Sequence, residues 1–348
     1  METVPREEKR PKAADKVGST GKYETTLEKL KETLGTYGVA VFPGLLDEKE
    51  CSKMVEGMWE YLEAVSQKFS TPINRKDKRT WRYMKELFPL HSMLLKQFGI
   101  GQTQMSWDLR QNPKVSQPFA TLWSTRPEDL LCSFDGASFL MPPEVTNVGW
   151  STGNYWWHTD QSYLRNEFEC VQSWVSAYDT NAGDATLAVM EGSHKLHGAF
   201  AKKFGIVDKS DWFKLQDEHV AWYKKQGCLP VHITCPAGSM VFWDSRTIHC
   251  GTNAQRGRSR PTLRCVAYIC MTPRKRATEA ELKKRQKAFE DGRTTSHWPS
   301  PLKMNPTTPR TYGTPLQTIT QIPKPKLNNL GYRLVGYPSK PPIQTLLT

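Results

Sequence analysis

The residues best equipped for chemistry lie in Tyr155-Trp156-Trp157-His158-Thr159-Asp160. An imidazole and a carboxylate stand two residues apart, and in an extended segment positions i and i+2 point to the same side. His158 and Asp160 can therefore converge on one point. A second histidine, His249, follows Gly238-Ser239-Met240-Val241-Phe242-Trp243-Asp244-Ser245-Arg246-Thr247-Ile248 far downstream. Two histidines and one carboxylate occupy one face of a metal and leave other coordination positions open, the ligand set of non-haem Fe(II) oxygenases, although the same donors also take Zn, Mn or Ni. The chain has eight histidines, so a histidine near an acid also arises by chance, and a lone histidine is more often a turn cap or a packing residue. The β character of both segments and the arginines after His249 weight the metal reading. An Fe(II) oxygenase needs a two-electron co-reductant, commonly 2-oxoglutarate, whose distal carboxylate needs a cationic partner. Arginine supplies one through two parallel hydrogen bonds. Arg260 and Arg264 share strand parity and both are expected to face inward, whereas Arg256 and Arg258 read as loop residues.

The elements that must position these groups are mostly short strands. Residues 171–178, 186–190, 231–235, 239–243 and 262–270 are rich in strand formers and separated by turn signals, which predicts a small antiparallel barrel or sandwich. Upstream, Leu27, Leu30 and Leu34 predict a helix stopped by Gly35, followed by a strand over 38–42. Asp47 and Glu50 form an acidic variant of a capping box for a helix from 51 to about 67. A short helix is expected over 119–123, a strand over 134–141 and a helix over about 212–226. The fold class is therefore mainly β with flanking helices, an α+β arrangement. Residues 1–22 read as a disordered tail and 23–273 as the chemical domain. Residues 274–348 read as one charged helix over about 278–291 plus a Pro-rich extended arm, anchored by Tyr312, Leu316, Ile322, Leu330 and Tyr332.

With 348 residues and 38% apolar content, the chain can bury a core. The eight cysteines contain no Cys-x-x-Cys pair and read as reduced core residues, neither a disulfide frame nor a zinc site. No secretory signal or membrane-length apolar run is present, so a cytoplasmic protein with no membrane span is expected. The formal net charge is +13, partly in the tails, which favours an anionic partner such as an acidic small molecule, a membrane surface or nucleic acid. The basic run over 75–82 reads as a nucleic-acid patch or, better, as a solvated surface.

The order His158-Thr159-Asp160, Trp174, Gly192-Ser193-His194-Lys195, Pro236-Ala237-Gly238 through Trp243-Asp244, His249 and Arg260 resembles the phytanoyl-CoA dioxygenase family. The likeness runs from about residue 35 to about 273, including Val41-Phe42-Pro43-Gly44-Leu45, while 69–117 has no clear counterpart and the arm looks like an addition. The resemblance implies a double-stranded β-helix core of the jelly-roll, cupin-like kind. It implies Fe(II), 2-oxoglutarate and O2, and a hydroxylation that releases succinate and CO2. His158, Asp160 and His249 match the iron ligands. Arg260 matches the arginine for the distal carboxylate, and its spacing from His249 favours it over Arg264. Trp174 matches an aromatic position near the co-substrate, and Thr252 and Asn253 fall where small polar residues stand near the iron. Asp160 is retained where related halogenases replace it, which implies hydroxylation or another oxidation of the same type. The Gly-Ser-His-Lys signature is read as structural, and Tyr155, Trp156 and Trp157 as pocket walls or core aromatics. The expected substrate is a small or lipid-like molecule, with an anionic one favoured by the net charge. The alternatives are a non-catalytic barrel that binds an anionic ligand and a nucleic-acid-directed oxygenase.

Overall fold

Short runs of β-branched and aromatic residues, punctuated by Gly, Pro and Asp, form eleven strands in the computed structural model, which describes residues 20–87, 93–309 and 315–338. They are β1 (Val39–Phe42), β2 (Leu130–Cys132), β3 (Ala137–Leu140), β4 (His158–Thr159), β5 (Val171–Ser176) and β6 (Thr186–Met190). Then come β7 (Phe213–Lys214), β8 (Pro230–His232), β9 (Met240–Asp244), β10 (His249–Thr252) and β11 (Arg264–Pro273). One sheet has the order β1-β9-β5-β11-β2, with β3 also pairing β11; the other has the order β7-β4-β10-β6-β8. Every ladder is antiparallel. Two such sheets packed face to face, with helices outside, are the jelly-roll architecture that the sequence implies.

Strand parity decides which side chain goes where. Val39, Val41, Trp174, Val241, Trp243 and Val266 join Leu187 and Val189 of the second sheet in the core between the sheets. Their neighbours Ala40, Val175, Phe242 and Cys265 face the opposite way, into a layer with Met54, Met58 and Leu62 of the helix Glu48–Val65. That helix opens as expected: the Asp47 carboxylate accepts from the Glu50 amide, and the Asp47 amide donates to the Glu50 carboxylate, both at 2.9 Å. All eight cysteines are buried and free. No helix among the described residues is long and apolar enough to cross a membrane.

Several boundaries differ from the sequence expectation: the helix expected from 51 starts at Glu48, the short helix expected over 119–123 spans Pro113–Leu122, and the strand expected over 134–141 is Ala137–Leu140. The first leucine-spaced helix spans Leu30–Tyr37 and ends at Gly38, not Gly35. Gly38 has φ +78°, and a Cβ there would stand 2.5 Å from Thr247 Oγ1, whereas Gly35 meets nothing within 4 Å. The demanding backbone conformation and the close approach coincide at Gly38, so the chain turns there. The helix expected from about 212 spans Asp217–Lys225 and leaves Trp212 outside it. The last strand starts at Arg264, two residues later than expected. The tail expected to be disordered lies outside the described residues up to 19, and a short helix, Thr20–Tyr23, begins at its end.

The C-terminal stretch lies against the barrel. Its helix Glu279–Glu290 buries Leu282, Arg285, Ala288 and Phe289, and the final helix Asn329–Val335 buries Leu334 and Val335. Of the expected anchors, Ile322 and Leu330 pack on the core, and Tyr332 meets Tyr337 edge-on. Leu316 is exposed and Tyr312 lies outside the described residues. Arg285, 0% exposed, donates to the carbonyls of Val335 (2.8 Å), Pro299 (2.5 Å), Cys132 (2.6 Å) and Leu334 (2.9 Å). One guanidinium thus ties the arm to β2, and burial pushes its pKa down to about 10. Arg285→Ala removes four bonds from buried carbonyls and is expected to cost about 3 kcal/mol or more of unfolding free energy. Denaturant titration checks this, and a variant within about 0.5 kcal/mol of the parent would show that the arm is not tied down there.

Candidate functional site

Strands β4 and β10 pair with His158 directly opposite His249. The imidazoles therefore meet, with ring centroids 4.3 Å apart. Asp160 follows two residues after His158, and its amide donates to the Ser245 carbonyl at 3.0 Å. Asp160 Oδ2 lies 3.3 Å from His249 Nε2 and 3.7 Å from His158 Nε2. Ligand atoms of all three lie within 4.8 Å of one another, the one such group of histidine, cysteine or acidic residues among the described residues.

The hydrogen bonds around this group prepare it for a cation. His158 Nδ1 faces the Trp156 carbonyl at 3.1 Å and His249 Nδ1 the Thr247 carbonyl at 2.9 Å. A carbonyl only accepts, so each Nδ1 carries the proton and each Nε2 keeps a lone pair for a metal. Burial, followed by the neighbouring His249, holds the His158 imidazole below its ordinary pKa. Burial works to raise the Asp160 carboxyl, but His297, His158 and His249 outweigh it and hold the group well below the usual carboxylate range. Gln172 Nε2 donates to Asp160 Oδ2 at 3.0 Å and aims that oxygen. The Trp156 ring stacks on His158 at 4.6 Å and 7°.

The Gly-Ser-His-Lys signature supports the strand that carries His249. The Ser193 hydroxyl accepts from the Ile248 amide at 2.8 Å. His194 Nε2 donates to the Gly35 carbonyl at 3.1 Å. The Gly38 carbonyl accepts from the Asp244 amide at 3.1 Å and from the Thr247 hydroxyl at 2.9 Å.

A cavity of about 750 Å³ opens on the triad and is lined on the sheet side by Gln172, Trp174, Trp243, Arg264 and Tyr268. Arg264 is 8% exposed. Its guanidinium donates to the Ala185 carbonyl at 3.0 Å and sits 5.1 Å over the Trp174 ring. Five buried polar atoms with no partner among the described residues border this cavity: Arg264 Nε, Trp174 Nε1, Trp243 Nε1, His297 Nε2 and Trp298 Nε1. Buried donors in proteins are almost always satisfied. The N–H groups of Arg264, Trp174 and Trp243 lack acceptors, and a dicarboxylate is rich in them.

The structure brings His158, Asp160, His249 and Trp174 to this cavity and leaves two expected residues out. Arg260 is exposed in the bend before β11. The parity that joined it to Arg264 holds only within a strand, and Pro261 interrupts the chain between them before pairing begins. Thr252 is buried, and its hydroxyl donates to the Thr186 carbonyl at 3.2 Å, so it serves the sheet. Asn253 borders a different cavity. Of the three aromatics before His158, Trp156 lines the triad cavity, while Tyr155 and Trp157 stack on each other at 4.9 Å within another apolar cluster. Gln172 was legible from its parity with Trp174 on β5. His297, at the cavity but far along the C-terminal arm, has no local motif to announce it. In the basic run, Arg75 pairs with Glu56 and Glu63, and Arg79 with Asp77.

The sequence profile of the phytanoyl-CoA dioxygenase (PhyH) family matches residues 34–262. Ava biosynthesis cluster protein O of Aspergillus versicolor is 30% identical over 241 residues, 66% of this chain and 74% of that protein. A candidate oxidoreductase of known structure from Salmonella typhimurium LT2 is 13% identical, covers 90% of this chain and 86% of its own, and superposes with a TM-score of 0.54. The epimerase SnoN, in a complex with Fe3+, alpha ketoglutarate and nogalamycin RO, is 14% identical over 71% of this chain and 83% of its own, with a TM-score of 0.39. Iron, 2-oxoglutarate and O2 are the cofactors of this family, and the two imidazoles and one carboxylate of the triad fit the iron.

Gln172→Leu keeps the side-chain bulk and removes the bond to Asp160. Partners that orient a metal ligand typically contribute 10–100-fold in affinity. Anaerobic Fe(II) titration is expected to show a loss of roughly that size, and unchanged affinity would mean that Asp160 is aimed by something else.

Proposed function

The chain belongs to the phytanoyl-CoA dioxygenase family, and on that premise we propose that it is an Fe(II)- and 2-oxoglutarate-dependent hydroxylase of a small molecule. One observation carries the reading: the His158–Asp160–His249 group shares its cavity with a buried arginine whose Nε has no partner. A metal site alone fits several activities. A metal site next to a guanidinium with an unpaired Nε and two unpaired indole N–H groups fits a chelating dicarboxylate.

The residues then take definite roles. His158, Asp160 and His249 hold the metal through two Nε2 atoms and one carboxylate oxygen. Arg264 takes the distal carboxylate of 2-oxoglutarate, the role expected of Arg260. It is buried and faces the cavity, and a charge-assisted bond is strongest where water is scarce. Trp174 backs the guanidinium, and Tyr268 lines the same cavity. When bound, Fe(II) with 2-oxoglutarate and O2 supplies a two-electron oxidation of a C–H bond, with release of succinate and CO2. Trp156 covers one face of His158 and keeps water from it.

The charge balance near the triad favours a largely neutral substrate. Lys96 and Lys303 border the cavity, and so do Asp135 and Asp211, so the net +13 of the chain is not concentrated there. The intact triad weighs against a barrel that only binds. The ion pairs of Arg75 and Arg79 weigh against a nucleic-acid footprint.

Arg264→Ala is expected to cost on the order of 2–5 kcal/mol in 2-oxoglutarate binding, as for truncating one partner of a buried charge pair. That is a roughly 30-fold or greater loss of affinity. Lysine should rescue poorly, because it offers a point charge in place of a fork. Fe(II) binding should persist, and Arg260→Ala should change neither affinity. Anaerobic calorimetry reads all four quantities. Full 2-oxoglutarate affinity in the Arg264→Ala protein would sink the assignment. His249→Ala is expected to abolish succinate formation while leaving the fold intact by circular dichroism.

A further inference from the structure

The cavity over the triad is not closed by the barrel alone. Residues 294–305 of the C-terminal arm, beyond the family match that ends at 262, form a short hairpin against it. The Ser296 amide donates to the Lys303 carbonyl at 2.8 Å, and the Asn305 amide donates to the Thr294 carbonyl at 2.9 Å. The hairpin is fastened to the barrel by the Thr295 amide on the Phe134 carbonyl at 2.9 Å and the Phe134 amide on the Thr295 hydroxyl at 3.0 Å. Its far side is held by Lys303 Nζ on Asp211 Oδ2 at 2.5 Å, and Asp211 also pairs with Arg165. Ser296, His297, Trp298, Lys303 and Asn305 all line the triad cavity.

Within this hairpin His297 stands out. Its side chain is 14% exposed, and its Nδ1 lies 4.0 Å from Asp160 Oδ2, longer than a hydrogen bond. Its Nε2 is buried with no partner among the described residues. His297 is not in the group whose ligand atoms lie within 4.8 Å of one another, so it stands beside the metal site and not in it. Opposite it the cavity offers apolar surface. Trp156 stacks on His158, and Trp212, 51% exposed, turns its ring to within 6.0 Å of the His158 ring. An exposed indole in the lining of a cavity, beside a histidine with an unpaired buried nitrogen, has the apolar surface and the polar group that a small-molecule site combines.

We propose that His297 is a substrate-binding residue: it hydrogen-bonds a polar group of a small molecule whose apolar body lies against Trp156 and Trp212, beside the triad. This rests on the oxygenase reading above and adds the part of the site that the arm supplies. The arm then selects substrate, and the metal and 2-oxoglutarate are held by the barrel.

The test uses the full chain loaded with Fe(II) and 2-oxoglutarate without oxygen, titrated calorimetrically with indole and with indole-3-carboxamide. The two probes share an apolar body, and one adds a hydrogen-bonding group. The parent protein is expected to bind the amide roughly tenfold more tightly than indole, the size of one buried hydrogen bond. His297→Ala should erase that preference and leave indole binding within about twofold, a pattern that a lost bond gives and a general collapse does not. His297→Gln keeps a donor and an acceptor, so it should retain part of the preference, and it stands in if the alanine variant fails to fold. No preference for the amide in the parent, or equal losses for both probes in the variants, overturns the proposal. A parent protein that fails to take up Fe(II) or 2-oxoglutarate overturns the oxygenase reading and this proposal together, and is seen before either probe is added.

Discussion

The site depends on one strand register, β4 against β10 with His158 opposite His249. Antiparallel partners stand close enough for their side chains to meet on one face. A slip of one residue would send one imidazole to the other face of the sheet and leave no metal site. With β4 only two residues long, the ladder itself cannot hold that register. Hydrogen bonds from outside the pair hold it. The Ser245 carbonyl accepts from the Asp160 amide at 3.0 Å and the Thr159 hydroxyl at 2.9 Å. The Gly38 carbonyl gathers Asp244 and Thr247, and Ser193 takes the Ile248 amide. The Gly-Ser-His-Lys signature and the turn into β1 therefore matter to the metal site without touching it.

A contrast between buried arginines separates structure from chemistry. Arg285 is satisfied by four carbonyls and has no carboxylate partner. Arg110 gives its Nη2 to the Asp135 carbonyl at 2.8 Å and its Nη1 to the Gly101 carbonyl at 2.5 Å; its Nε is unpaired, as in Arg264, but Arg110 does not line the triad cavity. Both fasten backbone segments together. Arg264 has one carbonyl, one aromatic face and an unpaired Nε, and it lines the cavity that holds the triad. A buried cation with unused donors is costly unless something completes it. That cost is what the proposed dicarboxylate would remove on binding. The same reasoning singles out His297, whose Nε2 is buried with no partner among the described residues.

The sequence by itself determined the family, the metal-binding triad and much of the frame. The i, i+2 spacing of His158 and Asp160, the distant His249 and the order of the family motifs were enough to name the triad, and the strand alternation was enough for an antiparallel two-sheet fold. Those are local patterns, and local geometry enforces them. Parity on β5 put Gln172 and Trp174 on one face without any structure. The arginine was different. The family's spacing from His249 points to Arg260, but only pairing shows that β11 starts at Arg264, which is buried while Arg260 is exposed. The same limit placed the end of the first helix at Gly35, because the close approach of Thr247 that requires glycine at 38 is a contact across the fold. His297 lies 48 residues beyond His249 in the chain, in a segment whose composition reads as an arm. Its place at the cavity comes from Arg285, Thr295 and Lys303 gripping distant parts of the barrel, and contacts of that kind are not written in any local pattern of residues.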